Sequence, residues 1–460
     1  MDDKKNILSQ NLINNIYKEY EEKTKKSKEL FEQAKRYLPG GNTRTTLYWD
    51  PHPIYFKNGR GCTFFDMDEN PYLDFLGNYT SLIHGHSHPK ILEAIRNAAE
   101  MGTSVHVPTE YEIKLAKLMC ERFPSVDKIR FTNSGTEATL NAMRLARVYT
   151  GKDKIMKAEG AYHGTHLVAD VSYNPDLTKV GPIENPISVP NPGTPLSIAK
   201  EVIVYPFNNQ EITEKIFKKH KGELAAIIVE PLFRTIPPEN DYLKFLREIT
   251  ADNDIPLIFD EVICARICKG GAQEFYNVIP DLTAFGKIFG GGLPFGAFGG
   301  RDEIMKLSDP SKKGSMSQAG TFNGNPLTMA AGSVATEMLT SDEINRINLL
   351  GEIQREGMKK MLEEIGIIAK ITGEGSLTTL YFTDEEVKEF RASARSNKIL
   401  NNPLYILMLI NGISIAKRLF TAISTPMTKN EIIKFNDILR MSLEKIKPII
   451  KEIDSKLISS

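Results

Sequence analysis

The chain has 460 residues, and its 58 Lys and Arg balance its 58 Asp and Glu, so the formal charge is zero. That balance argues against nucleic acid or an anionic membrane surface as main partner, and the length suits two joined domains around a sizeable core. The opening MDDKKNILSQ lacks the basic-then-apolar order of an export signal, and no window reaches the roughly 18 apolar residues of a membrane helix, so a soluble cytoplasmic protein is expected.

Tyr17 to Arg36 sets Tyr20, Leu30 and Phe31 at helical spacing among mixed charges, which predicts an exposed helix. Pro39-Gly40-Gly41-Asn42-Thr43-Arg44 ends it in a loop. Ile54 to Phe75 has the strand and turn alternation of a small meander, with turns at Asn58-Gly59 and Glu69-Asn70-Pro71. His84, His86 and His88 then alternate in a pattern that could ligate a metal. Tyr111 to Arg122 is amphipathic and helical, and Lys128 to Thr132 is a strand.

Behind that strand, Ser134-Gly135-Thr136 opens a helix spanning Glu137 to Tyr149. Hydroxyls and free amides there converge on an anion, and the helix dipole adds to the attraction. Plain N-capping by Ser134 is the alternative. A strand at Lys154 to Lys157 leads to Gly160-Ala161-Tyr162-His163-Gly164, and residues 173–200, rich in Pro, Asn and Gly, read as a long surface loop. Ala225 to Val229 is a buried strand ending in Glu230-Pro231, followed by a helix from Tyr242 to Ala251.

The stretch Pro256 to Arg301 organises the rest. Leu257-Ile258-Phe259 is a short apolar run that ends in Asp260 and Glu261, and a second run, Leu282 to Phe285, delivers Gly286-Lys287 and then Gly290-Gly291-Gly292. Parallel sheets place functional groups at the carboxyl ends of such strands, and dense glycine lets backbone approach a bound group. An acid and a lysine leaving neighbouring strands suit pyridoxal 5'-phosphate (PLP): the lysine forms a Schiff base with the aldehyde, and the aspartate keeps the pyridine nitrogen protonated. A solitary lysine would ordinarily be a surface residue. The four cysteines, Cys62, Cys120, Cys264 and Cys268, suggest a reducing compartment, and Cys264 with Cys268 lacks the further ligands of a zinc site.

A small-residue-rich helix is predicted from Pro326 to Leu339, after Ala319 to Pro326. Beyond Asp342 come a long helix to Ile365, a strand pair near Ile368 to Phe382, a helix Leu404 to Leu409, a strand Ile413 to Ile415 and a last helix Lys429 to Lys456. The alternation of strands and helices over 77–340 predicts an α/β large domain with a mainly parallel sheet. Residues 1–76 and 341–460 are expected to build a small α+β domain together.

With Asp260-Glu261-Val262, Lys287 and its glycine triplet, and Phe295 to Arg301, the chain resembles the class III aminotransferases of PLP fold type I over roughly Tyr37 to Thr428. Within them it is similar to β-amino-acid aminotransferases and to glutamate-1-semialdehyde aminomutases. The resemblance implies a seven-stranded sheet and a PLP site made by Ser134, Gly135, Thr136, Tyr162, His163, Asp260, Val262, Lys287 and Thr321. Tyr162 would stack on the pyridine ring, with Val262 on the opposite face. Thr321 would reach the phosphate across the interface of a homodimer with shared active sites. The histidine trio becomes a structural loop. Arg44 would hold a substrate carboxylate, Arg418 that of a 2-oxoacid, and Glu230 would lie beside the substrate. Ile263 stands where many relatives carry a glutamine for the cofactor 3'-oxygen. On the Arg44 loop and the Phe295 to Arg301 match, the expected reaction is ping-pong transfer from a β-amino acid or 3-aminoacyl derivative, such as 3-aminobutyryl-CoA, to 2-oxoglutarate. The alternatives are a glutamate-1-semialdehyde 2,1-aminomutase and a non-catalytic PLP-binding module.

Overall fold

The structure is a computed structural model and describes residues 2–459. Its strands, in chain order, are β1 (Phe56–Arg60), β2 (Thr63–Asp66), β3 (Pro71–Asp74), β4 (Lys128–Thr132), β5 (Lys154–Ala158), β6 (Val202–Tyr205) and β7 (Leu224–Val229). They continue as β8 (Leu257–Asp260), β9 (Leu282–Gly286), β10 (Gly296–Gly300), β11 (Lys370–Thr372), β12 (Leu377–Tyr381), β13 (Ile413–Ser414) and β14 (Phe420–Ala422).

Seven of these form the central sheet, in the order β4-β10-β9-β8-β7-β5-β6. The pairs β6–β5, β5–β7, β7–β8 and β8–β9 are parallel, and β10 alone runs antiparallel, between β9 and β4. This is the mainly parallel seven-stranded sheet of the expected fold class. Every residue of β7, β8 and β9 is buried, as strands covered by helices on both faces must be. β10 was not legible as a strand, because Gly296, Gly299 and Gly300 leave it almost no side-chain signal. Its register is carried by backbone pairing with both neighbours.

A four-stranded sheet, β1-β2-β3-β13, joins the N-terminal meander to a strand from near the C-terminus, and β11-β12-β14 forms a third sheet. The helix Asn401–Ile410 is buried at every position from Pro403 onward. The last helix, Lys429–Ile453, starts at a Thr428/Glu431 capping box and packs its apolar stripe against that core.

The exposed helix expected over Tyr17 to Arg36 is in fact two helices, Asp2–Lys23 and Lys25–Ala34. Thr24 interrupts them, its Oγ1 donating to the Tyr20 carbonyl (2.7 Å). Ile16 and Tyr20 are buried; the Tyr20 hydroxyl donates to the His52 carbonyl (2.9 Å), and Trp49 packs edge-on against Tyr405. The charges on that segment hid an anchoring apolar face. His86 parts from the other two histidines: its Nε2 lies 2.8 Å from Asp74, while His84, whose Nε2 lies 2.9 Å from the Ala335 carbonyl, has its ring 5.8 Å from that of His88. Among the described residues, no helix is long and apolar enough to cross a membrane.

Candidate active site

Because β4, β5, β7, β8 and β9 run the same way, their carboxyl ends share one edge of the sheet. The turns leaving them carry Ser134, Tyr162 and His163, Glu230, Asp260 and Lys287 respectively. This is the crevice where open α/β sheets bind ligands.

At the end of β4, the helix Gly135–Thr150 starts with Ser134 as N-cap. Ser134 Oγ accepts the Glu137 N–H (3.2 Å), and the Glu137 carboxylate accepts the Asn133 N–H (2.8 Å). The capping reading is therefore right for the Ser134 hydroxyl. It leaves the first-turn amides of Gly135 and Thr136 outside the intrahelical ladder, where an anion can take them. A Cβ on Gly135 would lie 2.9 Å from Val262 Cγ2, and one on Gly286 would lie 3.1 Å from Val262 Cγ1. Val262 thus wedges between two side-chain-free positions and closes three turns onto one another.

Asp260 is buried at the end of β8, and its Oδ2 lies 2.8 Å from His163 Nδ1. Its Oδ1 accepts the Val262 N–H (3.1 Å). Burial pushes the Asp260 carboxyl up to about 7, against the pull of that amide and of the Lys287 charge. Burial also takes His163 down to about 3, with nearby Lys157 adding to the effect. The pair therefore carries no cation of its own, and Asp260 is free to ionise against one brought to it.

Lys287 follows β9 with φ +52°, a left-handed conformation uncommon for a residue with a Cβ. Burial lowers its amine to about 8, and the Arg418 and Arg44 charges push the same way. An amine so placed is largely neutral in mildly alkaline solution, as a nucleophile for a carbonyl needs to be. A buried acid, this amine and an anion-binding helix start on one crevice suit the pyridine nitrogen, aldehyde and phosphate of PLP.

Glu230 is buried and accepts the Tyr162 N–H (2.8 Å); burial raises its carboxyl above the usual range. Tyr162 is 40% exposed, and its ring lies 4.9 Å from the ring of Tyr173. Arg44 is exposed and donates to Asn78 Oδ1 (3.0 Å). Arg418 is exposed as well, with its guanidinium 4.9 Å from the Phe420 ring centre. Thr321 is exposed on a turn tied to the site by the bond from Asn133 Nδ2 to Asn323 Oδ1 (2.8 Å).

Glu261, the second acid of the motif, accepts the Ala272 N–H (2.7 Å) and both the backbone and side-chain N–H groups of Gln273 (3.1 Å each). Two further residues here gave no sequence signal. Arg266 is buried, donating to Ser376 Oγ (2.9 Å) and to the Ile423 carbonyl, so it ties the site strand to the C-terminal sheets. Arg234, after β7, lies among aromatic rings behind Tyr162.

The class III aminotransferase family matches residues 48–447. The chain belongs to that family. PLP is its cofactor. Glutamate-1-semialdehyde 2,1-aminomutase of Methanosphaera stadtmanae is 41% identical over 431 residues, 92% of this chain and 99% of that protein. The same-named protein of Methanothermobacter thermautotrophicus is 41% identical over 395 residues, 85% of this chain and 91% of that one. Among solved structures, an omega-transaminase from Sphaerobacter thermophilus is 42% identical with a TM-score of 0.89, covering 92% of this chain and 98% of its own.

The two curated relatives, each aligned along most of this chain and each a glutamate-1-semialdehyde 2,1-aminomutase, overturn the expected β-amino donor and 2-oxoglutarate acceptor. The physical reason the sequence misled lies in Arg44 and Arg418. A guanidinium recognises a carboxylate by its planar fork and is indifferent to the carbon skeleton behind it.

Proposed function

We propose that the chain is a glutamate-1-semialdehyde 2,1-aminomutase, moving the amino group from C2 to C1 of one substrate to yield 5-aminolevulinate. The near full-length similarity to aminomutases of that name carries this reading. The crevice chemistry supports it: an acid, an amine and an anion site are all that an internal amino shift asks of the protein.

Bound PLP supplies an electron sink and a temporary carrier for the amino group. The chain's own residues do the rest in this reading. The Gly135 and Thr136 amides hold the phosphate, with Ser134 fixing the helix start. Asp260, steadied by His163, balances positive charge at the pyridine nitrogen. Val262 and Tyr162 bracket the ring. Lys287 Nζ would hold the cofactor at its aldehyde carbon, and as a free amine it would carry the proton to and from the substrate carbons as general base and acid. Arg44 and Arg418 offer their guanidinia to the substrate's single carboxylate, and Glu230 holds the Tyr162 backbone beside it. A homodimer in which the exposed Thr321 reaches the phosphate of the neighbouring site completes this reading.

An aminomutase needs no external acceptor, and the test uses that. Protein loaded with PLP or pyridoxamine phosphate is given glutamate 1-semialdehyde alone, and 5-aminolevulinate is followed by NMR. Many turnovers without any 2-oxoacid are expected. Product that stops at one equivalent per site, and resumes only with a 2-oxoacid, would sink the proposal.

A further inference from the structure

We infer that Arg234 is a positioning residue that fixes the ring of Tyr162 through Tyr173. The inference rests on the reading that Tyr162 covers the cofactor ring. Among the described residues, the main chain of Tyr162 is bonded to the site through Glu230 (2.8 Å), while the residue is 40% exposed. What the ring rests on is Tyr173, at 4.9 Å and a 57° tilt.

Tyr173 is held by Arg234 twice over. Arg234 Nη2 donates to the Tyr173 carbonyl (2.6 Å), and its guanidinium lies 5.4 Å from the Tyr173 ring centre. The same guanidinium lies 5.2 Å from the ring of Phe390. Phe390 in turn closes on the turn that carries Tyr162: a Cβ on Gly160 would stand 2.1 Å from Phe390 Cδ2. A planar, weakly hydrated cation within reach of two rings gains from both, which a compact ammonium matches poorly.

The backbone is committed to this placement. Arg234 and Thr235 sit at φ +50° and +73°, two successive non-glycine residues in the left-handed region. Thr235 Oγ1 donates to Thr379 Oγ1 (2.8 Å) and lies 3.0 Å from Thr372 Oγ1, pinning the turn to β12 and β11. Arg234 Nε is buried with no hydrogen-bond partner among the described residues. Arg234 is half-buried, and the contacts its guanidinium makes are with Tyr173 and Phe390, the neighbours it supports.

The test compares Arg234→Gln, Arg234→Lys, Tyr173→Ala and the Arg234→Gln/Tyr173→Ala pair with unaltered protein and with Tyr162→Ala. Three quantities are read: the visible circular dichroism of bound PLP, its dissociation constant, and the melting temperature of PLP-free protein. Arg234→Gln is expected to reduce the dichroism and weaken PLP roughly two- to thirtyfold, the factor a cation between rings is worth. Arg234→Lys should fail to restore either quantity, and the pair should be no worse than Tyr173→Ala alone. If Arg234→Gln does not fold, Arg234→Lys carries the same comparison. Tyr162→Ala altering the dichroism while the Arg234 variants leave it unchanged overturns this inference alone. Full rescue by lysine, or additive effects in the pair, overturns it too. If Tyr162→Ala itself changes nothing, the covering role of Tyr162 fails and the inference falls with it.

Discussion

The floor of the crevice and its rim are built by opposite means. Asp260 and Lys287 leave fully buried parallel strands, and Val262 locks their turns against Gly135 and Gly286, where a Cβ would crowd it at 2.9 and 3.1 Å. Arg44 and Arg418 stand on exposed turns, one holding a single asparagine and the other lying on a phenylalanine ring. A floor made this way presents one geometry before anything binds, whereas rim guanidinia keep their freedom until an anion arrives. In the proposed reading, cofactor chemistry is therefore set by the fold, and choice of substrate by groups that the fold holds loosely.

The contrast is sharpest if the floor is attacked first. Lys287→Ala should lower kcat with glutamate 1-semialdehyde by at least 10²–10⁴, the range spanned by loss of a placed proton carrier. Borohydride reduction followed by mass spectrometry should find PLP on the peptide holding residue 287 in the unaltered protein and none in the variant. Asp260→Asn should cost about 10²–10³ in kcat, as expected when a preorganised charge is removed. Turnover within a few-fold of normal in Asp260→Asn would break the distinction between a determining floor and an adjustable rim.

The same distinction explains what the sequence disclosed. Strands β7, β8 and β9 are continuous apolar runs ending in Glu230, Asp260 and Gly286-Lys287, so their burial and the groups they deliver were readable from residue order. Ser134-Gly135-Thr136 was readable because a strand, a small-residue turn and a helix come in immediate succession. β10 escaped notice because glycines encode close approach without encoding a partner. Arg234 escaped because its significance lies in Tyr173 and Phe390, which are 61 and 156 residues away along the chain (234 − 173 and 390 − 234). The substrate was misread because both rim arginines answer to any carboxylate, and what lies beyond the carboxylate leaves no mark on them.

A third variant probes the closeness of the floor. The Cβ of Gly135→Ala would meet Val262 Cγ2 at 2.9 Å and Cγ1 at 3.0 Å. Overpacking of this kind costs about 1–3 kcal/mol, or roughly 5- to 150-fold in PLP affinity if it falls on the bound state. Equilibrium dialysis measures it, and adding Val262→Ala should recover most of the loss. Failure of that recovery would mean that Val262 is not the neighbour for which Gly135 leaves space.

The smallest effect is expected at the rim. Arg418→Ala removes an exposed charge, and exposed ion pairs are worth about 0.2–1 kcal/mol, so KM should rise about one-and-a-half- to fivefold with kcat nearly unchanged. Its effect on the floor gives a second reading of opposite character. Burial is the main reason the Lys287 amine sits at about 8, and the Arg418 charge adds to it; without that cation the value should move up, toward the ordinary lysine value of 10.5. The rate at which PLP attaches to PLP-free protein should then need a higher pH to reach its plateau. In the folded protein the depressed value penalises the charged amine, a penalty complete below about 8 and relieved as pH climbs toward 10.5. Arg418→Ala should shrink that alkaline gain in melting temperature. A KM change with no shift in the attachment profile would place Arg418 beyond the electrostatic reach of Lys287. A shifted profile with unchanged KM would leave Arg44 as the guanidinium that meets the carboxylate.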